Sequence, residues 1–273
     1  MLADVVPFLR CPLCGAGFAL EGPVLRCAGG HAYDVARQGY VNLLADPGAG
    51  TADTMSMVDA RAEFLGAGFY DPILRAVASE VPGESRVVLD AGAGTGEYLA
   101  TALAYAPQAV GLALDVSVPA VRRAAKLQRA GAVVADVWQS LPVRDGVADV
   151  VLNVFAPRNG SEFRRVLRSS GRLVVVTPYE THLSELTTAL GLLSVEPNKL
   201  DRLDASLAPH FRLATRSDVT GRLALTHVAA RALVAMGPSA HHVEEAALAG
   251  HVAGLPDPVR VTFGVHVSMY RPL

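Results

Sequence analysis

Three glycines at every second position, Gly92, Gly94 and Gly96, follow an apolar run that ends in Asp90. An Ala- and Leu-rich segment comes next, so the pattern predicts a strand, a tight turn and a helix. Glycine lets the backbone pass close to a ligand, and the free N–H groups at the start of the helix point into the turn. The pattern therefore predicts a site for a nucleotide-like molecule.

The spacing of these glycines argues against a dinucleotide site, because the third glycine of G-x-G-x-x-G would fall at Glu97. The pattern Asp-x-Gly-x-Gly-x-Gly instead resembles motif I of class I S-adenosylmethionine (SAM) methyltransferases. That resemblance implies SAM as the cofactor and a Rossmann-like α/β fold with a mostly parallel seven-stranded sheet. The residues expected around the methionine end of SAM are Asp90, Gly92, Gly94 and Thr95.

Two further aspartates end the next two apolar runs. Asp115 lies 19 residues after Gly96, and Asp136 closes the third run. Ligands of an open α/β sheet bind beyond the carboxyl ends of its strands, so we expect Asp115 at the ribose hydroxyls and Asp136 at the adenine amino group. The alternative is a Gly-rich turn with two helix-capping aspartates. Three strand ends in the right order favour the cofactor site.

Three cysteines and one histidine near the N-terminus have the spacing of a metal site. Cys11, Cys14, Cys27 and His31 form the pattern C-x2-C-x12-C-x3-H. Two turns that each offer two such ligands can close a tetrahedron around Zn²⁺, which leaves no position for a catalytic water. The alternative is a disulfide with a spare thiol, which a cytoplasmic setting disfavours. We therefore expect one structural zinc ion.

The residues that follow the zinc ligands carry a more specific resemblance. The stretch 31–44, HAYDVARQGYVNLL, joined to zinc knuckles and a SAM motif, resembles the bacterial 23S rRNA guanine-N1-methyltransferases that modify the hairpin 35 loop. Three other phrases, at 135–138, 153–159 and 234–239, are similar to the Gram-positive branch that includes the tylosin-resistance methyltransferase. The likeness spans nearly the whole chain.

This resemblance implies a function and several contacts. The function is SAM-dependent methylation of guanine N1 in 23S rRNA, at nucleotide 748, with resistance to a tylosin-type macrolide as its consequence. Tyr70 and His182 match family residues at the cofactor. A histidine that opens a helix can also be a cap. The family forms homodimers with an RNA cleft between subunits. One departure is Ser239–His242, where relatives carry a Trp.

The target base should meet the methyl group at the end of the fourth strand. There, Asn153 and Arg158 are expected to hydrogen-bond an extruded guanine while Phe155 stacks on it. Guanine N1 carries a proton at neutral pH, so a cation must stabilise the ring oxygen or a base must accept the proton. We assign Arg158 to the oxygen and leave the base unnamed. The alternative is a strand end that only caps the sheet.

Length and composition set the domain organisation. The 273 residues accommodate an α/β core and a smaller module. We expect a zinc-binding RNA-recognition domain at 1–45, a linker and connecting helix at 46–80, and the methyltransferase domain at 81–273. Strands are expected near 86–91, 110–115, 132–137, 147–154 and 172–177, with 259–267 antiparallel to 211–217. Helices are expected near 55–65, 96–106, 118–129, 161–169 and 182–192.

Charge and hydropathy bound the location and the partners. The net charge is −2 and the pI is about 6.4, which gives no global attraction to nucleic acid. No apolar run reaches the roughly 18 to 20 residues of a membrane span, and the N-terminus lacks the features of a signal peptide. We expect a cytoplasmic protein with no membrane partner. Two alternatives remain: a natural-product methyltransferase with a zinc docking module, and a non-catalytic SAM-binding protein.

Overall fold

The computed structural model of the protein describes residues 1–44, 52–193, 195–196, 198–241 and 244–273. Most of the expected linker at 46–56 therefore lies outside the described residues, as does His242 in the stretch that departs from the family. Within the described ranges, no helix is both long enough and apolar enough to cross a membrane.

The chain alternates helices and strands after a short β-rich beginning. The helices are α1 (Leu2–Val5), α2 (Met55–Gly66), α3 (Asp71–Ser79), α4 (Glu97–Tyr105), α5 (Val118–Ala124), α6 (Gly160–Val166), α7 (Ser184–Leu190), α8 (Lys199–Leu207), α9 (His227–Ala235) and α10 (Glu245–Ala253). The strands are β1 (Phe18–Glu21), β2 (Val24–Cys27), β3 (Ala32–Asp34), β4 (Tyr40–Asn42), β5 (Val87–Ala91), β6 (Val110–Asp115), β7 (Ala130–Val134), β8 (Ala148–Val154), β9 (Leu167–Pro178), β10 (Phe211–Leu225) and β11 (Val259–Pro272).

A central eight-stranded sheet organises the fold, in the order β10-β11-β9-β8-β5-β6-β7-β4. The strands from β9 to β4 run parallel, whereas β11 lies antiparallel between β9 and β10. Central strands such as β5 are buried along their whole length, because helices cover both faces of a parallel sheet. Alternate residues therefore enter two separate cores, one with α3, α4 and α9 and the other with α1, α6 and α8. The expected Rossmann-like fold is confirmed.

Several expected boundaries were wrong. Helix α5 ends at Ala124 instead of near 129, and β10 and β11 continue to Leu225 and Pro272 instead of 217 and 267. Helix α6 ends at Val166, and Arg168 lies in β9 instead of in a helix that continues to 169. The chain becomes extended at Leu167, which enters β9 beside Ala148. Strand β7 ends at Val134 instead of at 137, so Asp136 lies in the loop that follows the strand.

The N-terminal residues up to Leu44 contact the central sheet at two places. Strand β4 adds to the edge of the central sheet beside β7, which makes eight strands where seven were expected. Helix α1 packs on β7 so closely that a Cβ on Gly131 would lie 2.2 Å from a methyl group of Val5. Between them, β1, β2 and β3 form a small antiparallel sheet that carries the cysteines. The zinc-ligand segment is thus held at both ends by the catalytic fold.

Candidate functional site

The glycine turn after β5 is shaped by left-handed backbone and close contact. Gly92 has φ +88°, and a Cβ there would lie 2.3 Å from the Cβ of Ala156. Gly96, with φ +93°, is the N-cap of α4. The side chain of Asp115 closes the turn, because its carboxylate accepts from the N–H groups of Gly94 (2.8 Å) and Ser117 (2.8 Å). Only glycine combines this backbone with so close an approach.

Asp90 lies beneath this turn with an unsatisfied carboxyl group. Its side chain is 1% exposed, and neither carboxyl oxygen has a hydrogen-bond partner among the described residues. Burial raises the pKa of Asp90 to about 8, and the charges of Asp115 and Glu97 act in the same direction. An unpartnered buried carboxyl group is costly unless a ligand supplies a donor. SAM, with its ammonium and hydroxyl groups, fits this requirement.

Two residues that the sequence did not single out face the same turn. The hydroxyl group of Tyr98 is buried and has no hydrogen-bond partner in the part of the chain that the structure describes, and its pKa is raised by burial and by neighbouring charges that include Asp90. Arg61 of α2 lies over the turn, where its guanidinium would be 3.0 Å from a Cβ on Gly94. It forms an ion pair with Asp53 and donates to the carbonyl of Met236 (2.8 Å). A polar residue inside an apolar helical stretch was the only sequence signal for Arg61.

Thr95 and Asp136, which are also expected at the cofactor, follow the carboxyl ends of β5 and β7. Thr95 is buried and donates a hydrogen bond to Glu97. Asp136 lies in the loop after β7, and its carboxylate accepts from the N–H of Trp138 at 2.9 Å. The loop conformation thus depends on Asp136 before any ligand is considered. The adenine contact stays a prediction.

The rings of Tyr70, Phe155 and His182 form an aromatic cluster near the carboxyl end of β8. Tyr70 is 2% exposed, and its hydroxyl lies 3.3 Å from Nε2 of His182. Nδ1 of His182 lies 3.0 Å from the carbonyl oxygen of Gly264. Burial lowers the pKa of His182 to about 4, which outweighs the contact with Gly264, so the imidazole is neutral at neutral pH. The ring of Phe155 lies 6.1 Å from the His182 ring and 6.5 Å from the Tyr70 ring, measured between centroids.

Phe155 is set apart by its backbone as well as by its exposure. It has φ +52°, a left-handed conformation that costs energy for a bulky residue, and it is 42% exposed. An exposed aromatic ring held at the end of β8, beside Tyr70 and His182, is suited to stacking on a flat ligand. The structure therefore brings together the expected Phe155, Tyr70 and His182.

The side chain of Asn153 forms buried hydrogen bonds to two backbone carbonyl groups. Its side chain is 0% exposed, and its amide nitrogen donates to the carbonyls of Ala91 (3.0 Å) and Pro157 (2.7 Å). Both amide hydrogens are therefore engaged, and the buried Oδ1 has no partner among the described residues. The side chain ties the end of β5 to the loop after β8. It has no free donor for a guanine.

Arg158 lies away from the aromatic cluster. It lines a depression of about 370 Å³ together with Trp138, Asn159, Ser206 and His210, on the α8 side of the sheet. Tyr70 belongs to the core on the opposite side. Burial lowers the pKa of Arg158, and its Nε has no hydrogen-bond partner among the described residues. Phe155 is not among the residues that line this depression.

The predicted zinc ligands converge on one point. The ligand atoms of Cys11, Cys14, Cys27 and His31 all lie within 4.8 Å of one another. Cys14 Sγ is 3.6 Å from Cys27 Sγ, and His31 Nδ1 is 3.4 Å from Cys27 Sγ. Tetrahedral zinc would separate such atoms by about 3.8 Å and 3.6 Å, from bond lengths of roughly 2.3 and 2.0 Å. The four side chains fit Zn²⁺.

Local contacts favour the thiolate form of Cys11. Burial raises the pKa of the Cys11 thiol, but hydrogen bonds from the Tyr33 hydroxyl and the backbone N–H groups of Cys14 and Leu13 lower it to about 6. Gly29 passes so near the site that a Cβ there would lie 2.9 Å from Cys14 Sγ. A thiolate is the form that binds zinc.

The zinc-ligand segment is anchored to the loop between β7 and β8. Leu9 forms a β-bridge with Val143, and the N–H of Arg10 donates to the carbonyl of Pro142 (3.1 Å). The Arg10 guanidinium donates to Ser140 Oγ (2.9 Å), and Arg144 Nε donates to the Leu9 carbonyl (3.2 Å). The same loop carries Asp136, so the zinc-ligand segment is attached to the loop that is expected to contact the adenine of SAM.

Comparison with known proteins identifies similar chains. The family model described as the RlmA N-terminal zinc ribbon matches residues 9–45, and a methyltransferase domain model matches 88–174. The chain is 48% identical over 279 residues to the 23S rRNA (guanine(748)-N(1))-methyltransferase of Streptomyces fradiae, covering 100% of both chains. It is 49% identical over 295 residues, again with 100% of both covered, to a Micromonospora griseorubida protein named for 23S rRNA guanine-N1 methylation.

A solved structure supports the fold alone. It is a chain of the complex between the Haloferax volcanii Trm112 methyltransferase activator and a methyltransferase, with a TM-score of 0.54 and 16% sequence identity. The match covers 81% of the present chain and 99% of that chain.

Proposed function

Because the chain belongs to the 23S rRNA (guanine-N1)-methyltransferases, a family of SAM-dependent enzymes with a zinc ribbon, we propose that it methylates N1 of the guanine equivalent to nucleotide 748 of 23S rRNA. The observation that carries this proposal is the buried, unpartnered Asp90 below a glycine turn, in a chain 48% identical along its whole length to a guanine(748) enzyme. The curated relatives favour RNA over the small-molecule acceptor considered above.

SAM would bind along the carboxyl edge of β5, β6 and β7. Asp90 and the Tyr98 hydroxyl would face its amino group, and Arg61 its carboxylate, since these groups surround the turn. Asp115 would accept from a ribose hydroxyl with the lone pairs that its two backbone hydrogen bonds leave free. Gly92, Gly94 and Thr95 would line the turn, Asp136 would meet the adenine, and Tyr70 and His182 would close the site near the reacting methyl group.

The guanine would stack on Phe155, the exposed ring closest to Tyr70 and His182. SAM supplies an electrophilic methyl group, and transfer forms the N1–CH₃ bond while the sulfur keeps the electron pair of the broken bond. The proton on N1 must leave to solvent or to a base that we do not assign. Alignment in a dry site would supply most of the acceleration, because charge disperses in the transition state. Asn153 would act as a positioning residue that fixes the loop carrying Phe155.

Arg158 remains the proposed stabiliser of the guanine ring oxygen. It follows Phe155 by three residues on the same loop, and its guanidinium is not neutralised by a carboxylate among the described residues. Arg158→Ala should then lower kcat at saturating RNA, with Arg158→Lys retaining part of the rate. Normal kcat in Arg158→Ala would exclude this role.

RNA binding would involve the zinc ribbon and a second copy of the chain. The ribbon is fixed to the loop that leads to Asp136, so RNA held by it would be placed near the cofactor edge. As in the family resemblance, the enzyme would work as a homodimer in the cytoplasm, and N1 methylation would protect ribosomes from a tylosin-type macrolide. Sedimentation with and without RNA tests the dimer, and growth on tylosin of cells expressing wild type or Asp90→Asn tests the resistance.

One experiment tests the proposed reaction directly. Purified zinc-loaded protein is incubated with tritiated SAM and unmethylated 23S rRNA, and the product is mapped by primer extension. Methylation at N1 blocks base pairing, so a new stop should appear next to guanine 748 in the wild-type reaction and be absent with Asp90→Asn. Label at another position, or on no nucleotide, would contradict the proposal.

A further inference from the structure

A shallow depression on the α8 side of the sheet has no part in binding SAM as described above. Its volume is about 370 Å³, within the range of roughly 300–1,000 Å³ typical of small-molecule sites. Its walls come from the loop after β7, the loop after β8 and the end of α8. Two of these loops also carry Asp136 and Phe155, so the depression adjoins the cofactor edge without sharing its pocket.

An exposed tryptophan stands at the rim of this depression. Trp138 is 67% exposed, and it is the one Trp in the sequence. Its backbone N–H is held by Asp136 at 2.9 Å, so the loop fixes the position of the residue although the ring faces solvent. Exposing an indole to water is unfavourable, and a positioned aromatic ring beside polar groups is the usual platform for an unstacked base.

Positive charge surrounds the other walls. Arg158 lines the depression, and Lys199, at the start of α8, is close enough to Arg158 to interact with it electrostatically. Burial lowers the pKa of Lys199, the charges of Arg158 and Arg202 lower it further, and Glu196 opposes them. Within the described residues, Lys199 and Arg158 form no salt bridge with a carboxylate. Lys199 therefore offers a cation to an anion bound at this wall, and Glu196 offsets part of its charge.

The position of the target guanine lies elsewhere. Phe155 faces Tyr70 and His182 in the layer of α3 and α9, whereas Ser206 and His210 belong to the layer of α8 on the other side of the sheet. A base that stacks on Phe155 therefore leaves Trp138 unoccupied. An extruded target nucleotide also separates its two neighbours from their former stacks, so the RNA presents further unstacked bases close to the site.

We propose that this depression binds one nucleotide of the RNA adjacent to the target guanine, with its base stacked on Trp138 and a phosphate facing Lys199. The inference rests on the proposed RNA substrate and adds a second anchoring point to it. Such a site would help a protein with a net negative charge to position the RNA loop. The target guanine would stack on Phe155, and a neighbouring base would stack on Trp138.

The first test uses the full-length, zinc-loaded protein and a transcript of the 23S rRNA hairpin that contains guanine 748. Selective excitation of Trp138 should show emission that falls when the transcript is added, because a stacked base quenches indole fluorescence. Trp138→Ala should raise the Kd for the transcript about tenfold, since base stacking on an aromatic residue accounts for roughly 5- to 100-fold in affinity. Trp138→Phe should retain much of the affinity, and kcat at saturating RNA should stay within about twofold of wild type.

Matched controls exist for both kinds of residue. Tyr105 is an exposed aromatic residue at the end of α4, on the opposite edge of the sheet, and Tyr105→Ala should leave the Kd unchanged. Lys126 and Lys199 are the two lysines of the chain; Lys126 is exposed, and Lys199 is half-buried. Lys199→Ala should raise the Kd severalfold, whereas Lys126→Ala should not. Unchanged SAM affinity in each variant shows that the fold is intact.

A second test locates the bound nucleotide. Each nucleotide of the target loop is replaced in turn by an abasic residue, and the Kd is measured with wild type and with Trp138→Ala. The nucleotide that stacks on Trp138 should lower the affinity of wild type when it loses its base but have little further effect in Trp138→Ala. We expect this coupling at a neighbour of guanine 748.

The outcomes separate the two proposals. Coupling at guanine 748 itself, unchanged fluorescence at saturating RNA, or a normal Kd for Trp138→Ala would each overturn the depression as a flanking-nucleotide site while primer extension still reports methylation. Absence of methylation by wild type would overturn the proposed function, whatever the fluorescence shows.

Discussion

Asp90 couples cofactor binding to proton release. Its pKa is raised to about 8 by burial, with Asp115 and Glu97 adding to the effect, so the free protein holds a proton there at neutral pH. The amino group of SAM would favour the ionised carboxylate, and binding below pH 8 must then expel the proton. We expect the SAM association constant to rise with pH, nearly tenfold per unit between about pH 6 and 8, and to level off above.

Calorimetric titration across this pH range measures the effect. Asp90→Asn should bind SAM more weakly and lose the pH dependence, whereas the titration of SAM itself is common to both proteins and serves as the control. A parallel rise in wild type and Asp90→Asn would mean that another group releases the proton. The sign also applies to folding: a raised carboxyl pKa makes Asp90 lower the free energy of unfolding as pH rises from about 4 to 8.

Arg61 is expected to bind the carboxylate of SAM. It reaches over Gly94 from α2 and is held there by Asp53 and the Met236 carbonyl. Arg61→Gln should lower SAM affinity about tenfold, as expected for a lost charged hydrogen bond. The decarboxylated analogue of SAM should bind wild type and Arg61→Gln equally, and Arg75→Gln, from an exposed pair on α3, should change neither affinity. Equal losses for both ligands would assign Arg61 to shaping the turn.

The site residues differ in how far the sequence could specify them. Asp90, Asp115 and the cysteines follow from local order, because each lies at the end of a strand or in a short turn. Asn153 does not, since its partners Ala91 and Pro157 are fixed only when β5 and β8 lie side by side. Arg158 and Phe155 share one loop in sequence, yet the positive φ of Phe155 turns their side chains to different layers. No periodicity in the sequence reports such a turn.

The contact between the β5–α4 turn and the β8–α6 loop links cofactor binding to base binding. Gly92 meets Ala156, the residue next to Phe155, so a methyl group on Gly92 would push the loop that carries the stacking ring. Gly92→Ala also places a side chain at φ +88°, which costs on the order of 1–2 kcal/mol. We expect at least about tenfold weaker SAM binding and a lower kcat, measured by calorimetry and by methylation rate.

The variant Gly146→Ala is a control that introduces backbone strain without a steric clash. It has φ +63° but no atom within 4 Å of a Cβ, so Gly146→Ala should lower stability by about 1 kcal/mol and leave SAM affinity intact. Adding Ala156→Gly to Gly92→Ala removes the colliding methyl group and should restore part of the affinity. If the double variant were no better than Gly92→Ala, the contact with Ala156 would not be the cause.

The sequence predicted the order of most helices and strands, but it did not predict all the residues at which they begin and end. Alternating strands and helices predicted the parallel sheet and the antiparallel end formed by β10 and β11, and these were confirmed. β4 was missed because Tyr40–Asn42 is too short to show alternation and joins the sheet only through its pairing with β7. Arg168 falls within the helix expected at 161–169, but the helix ends at Val166. Sheet pairing at Leu167 overrides the local helical preference.

Zinc should stabilise only the segment between the two anchored ends. The ribbon strands β1 and β3 are mostly exposed and contribute few core residues, whereas Val5 of α1 and Val41 of β4 are fully buried in the catalytic core. Metal binding worth about 10 kcal/mol would therefore hold the cysteine turns. Chelation should increase hydrogen exchange at 11–34 and at the contacting loop near 138–145, while 2–5 and 40–42 stay protected.

Hydrogen exchange followed by mass spectrometry measures this directly, and added zinc should reverse it. Loss of protection throughout α1 and β4 would show that the metal stabilises the whole N-terminal region. Unchanged protection at 11–34 would show that the ribbon folds without metal.

The charge of the whole molecule restricts how it can hold RNA. The net charge is −2, and many arginines are neutralised within the fold, as in the ion pairs Arg123–Asp59, Arg165–Glu162, Arg168–Asp149 and Arg216–Asp204. Arginines that are paired in this way are less available for phosphates, and we expect stacking and shape to contribute much of the specificity. The sequence showed the total charge, but the pairing that removes individual arginines depends on the tertiary fold.

This balance predicts a modest salt dependence of RNA binding. Each phosphate contact to single-stranded RNA contributes about −0.7 to the slope of log K against log salt concentration, so three contacts give a slope of about −2. Lys199→Ala should reduce its magnitude by about 0.7, and Lys126→Ala should leave it unchanged. A slope beyond about −5 would mean that the internal ion pairs open to bind phosphate, and a flat response would remove charge from RNA recognition. Filter binding between low and physiological salt concentrations distinguishes these cases. Only a slope near −2 fits a protein that binds a few phosphates and recognises the rest of the RNA loop by stacking on aromatic side chains.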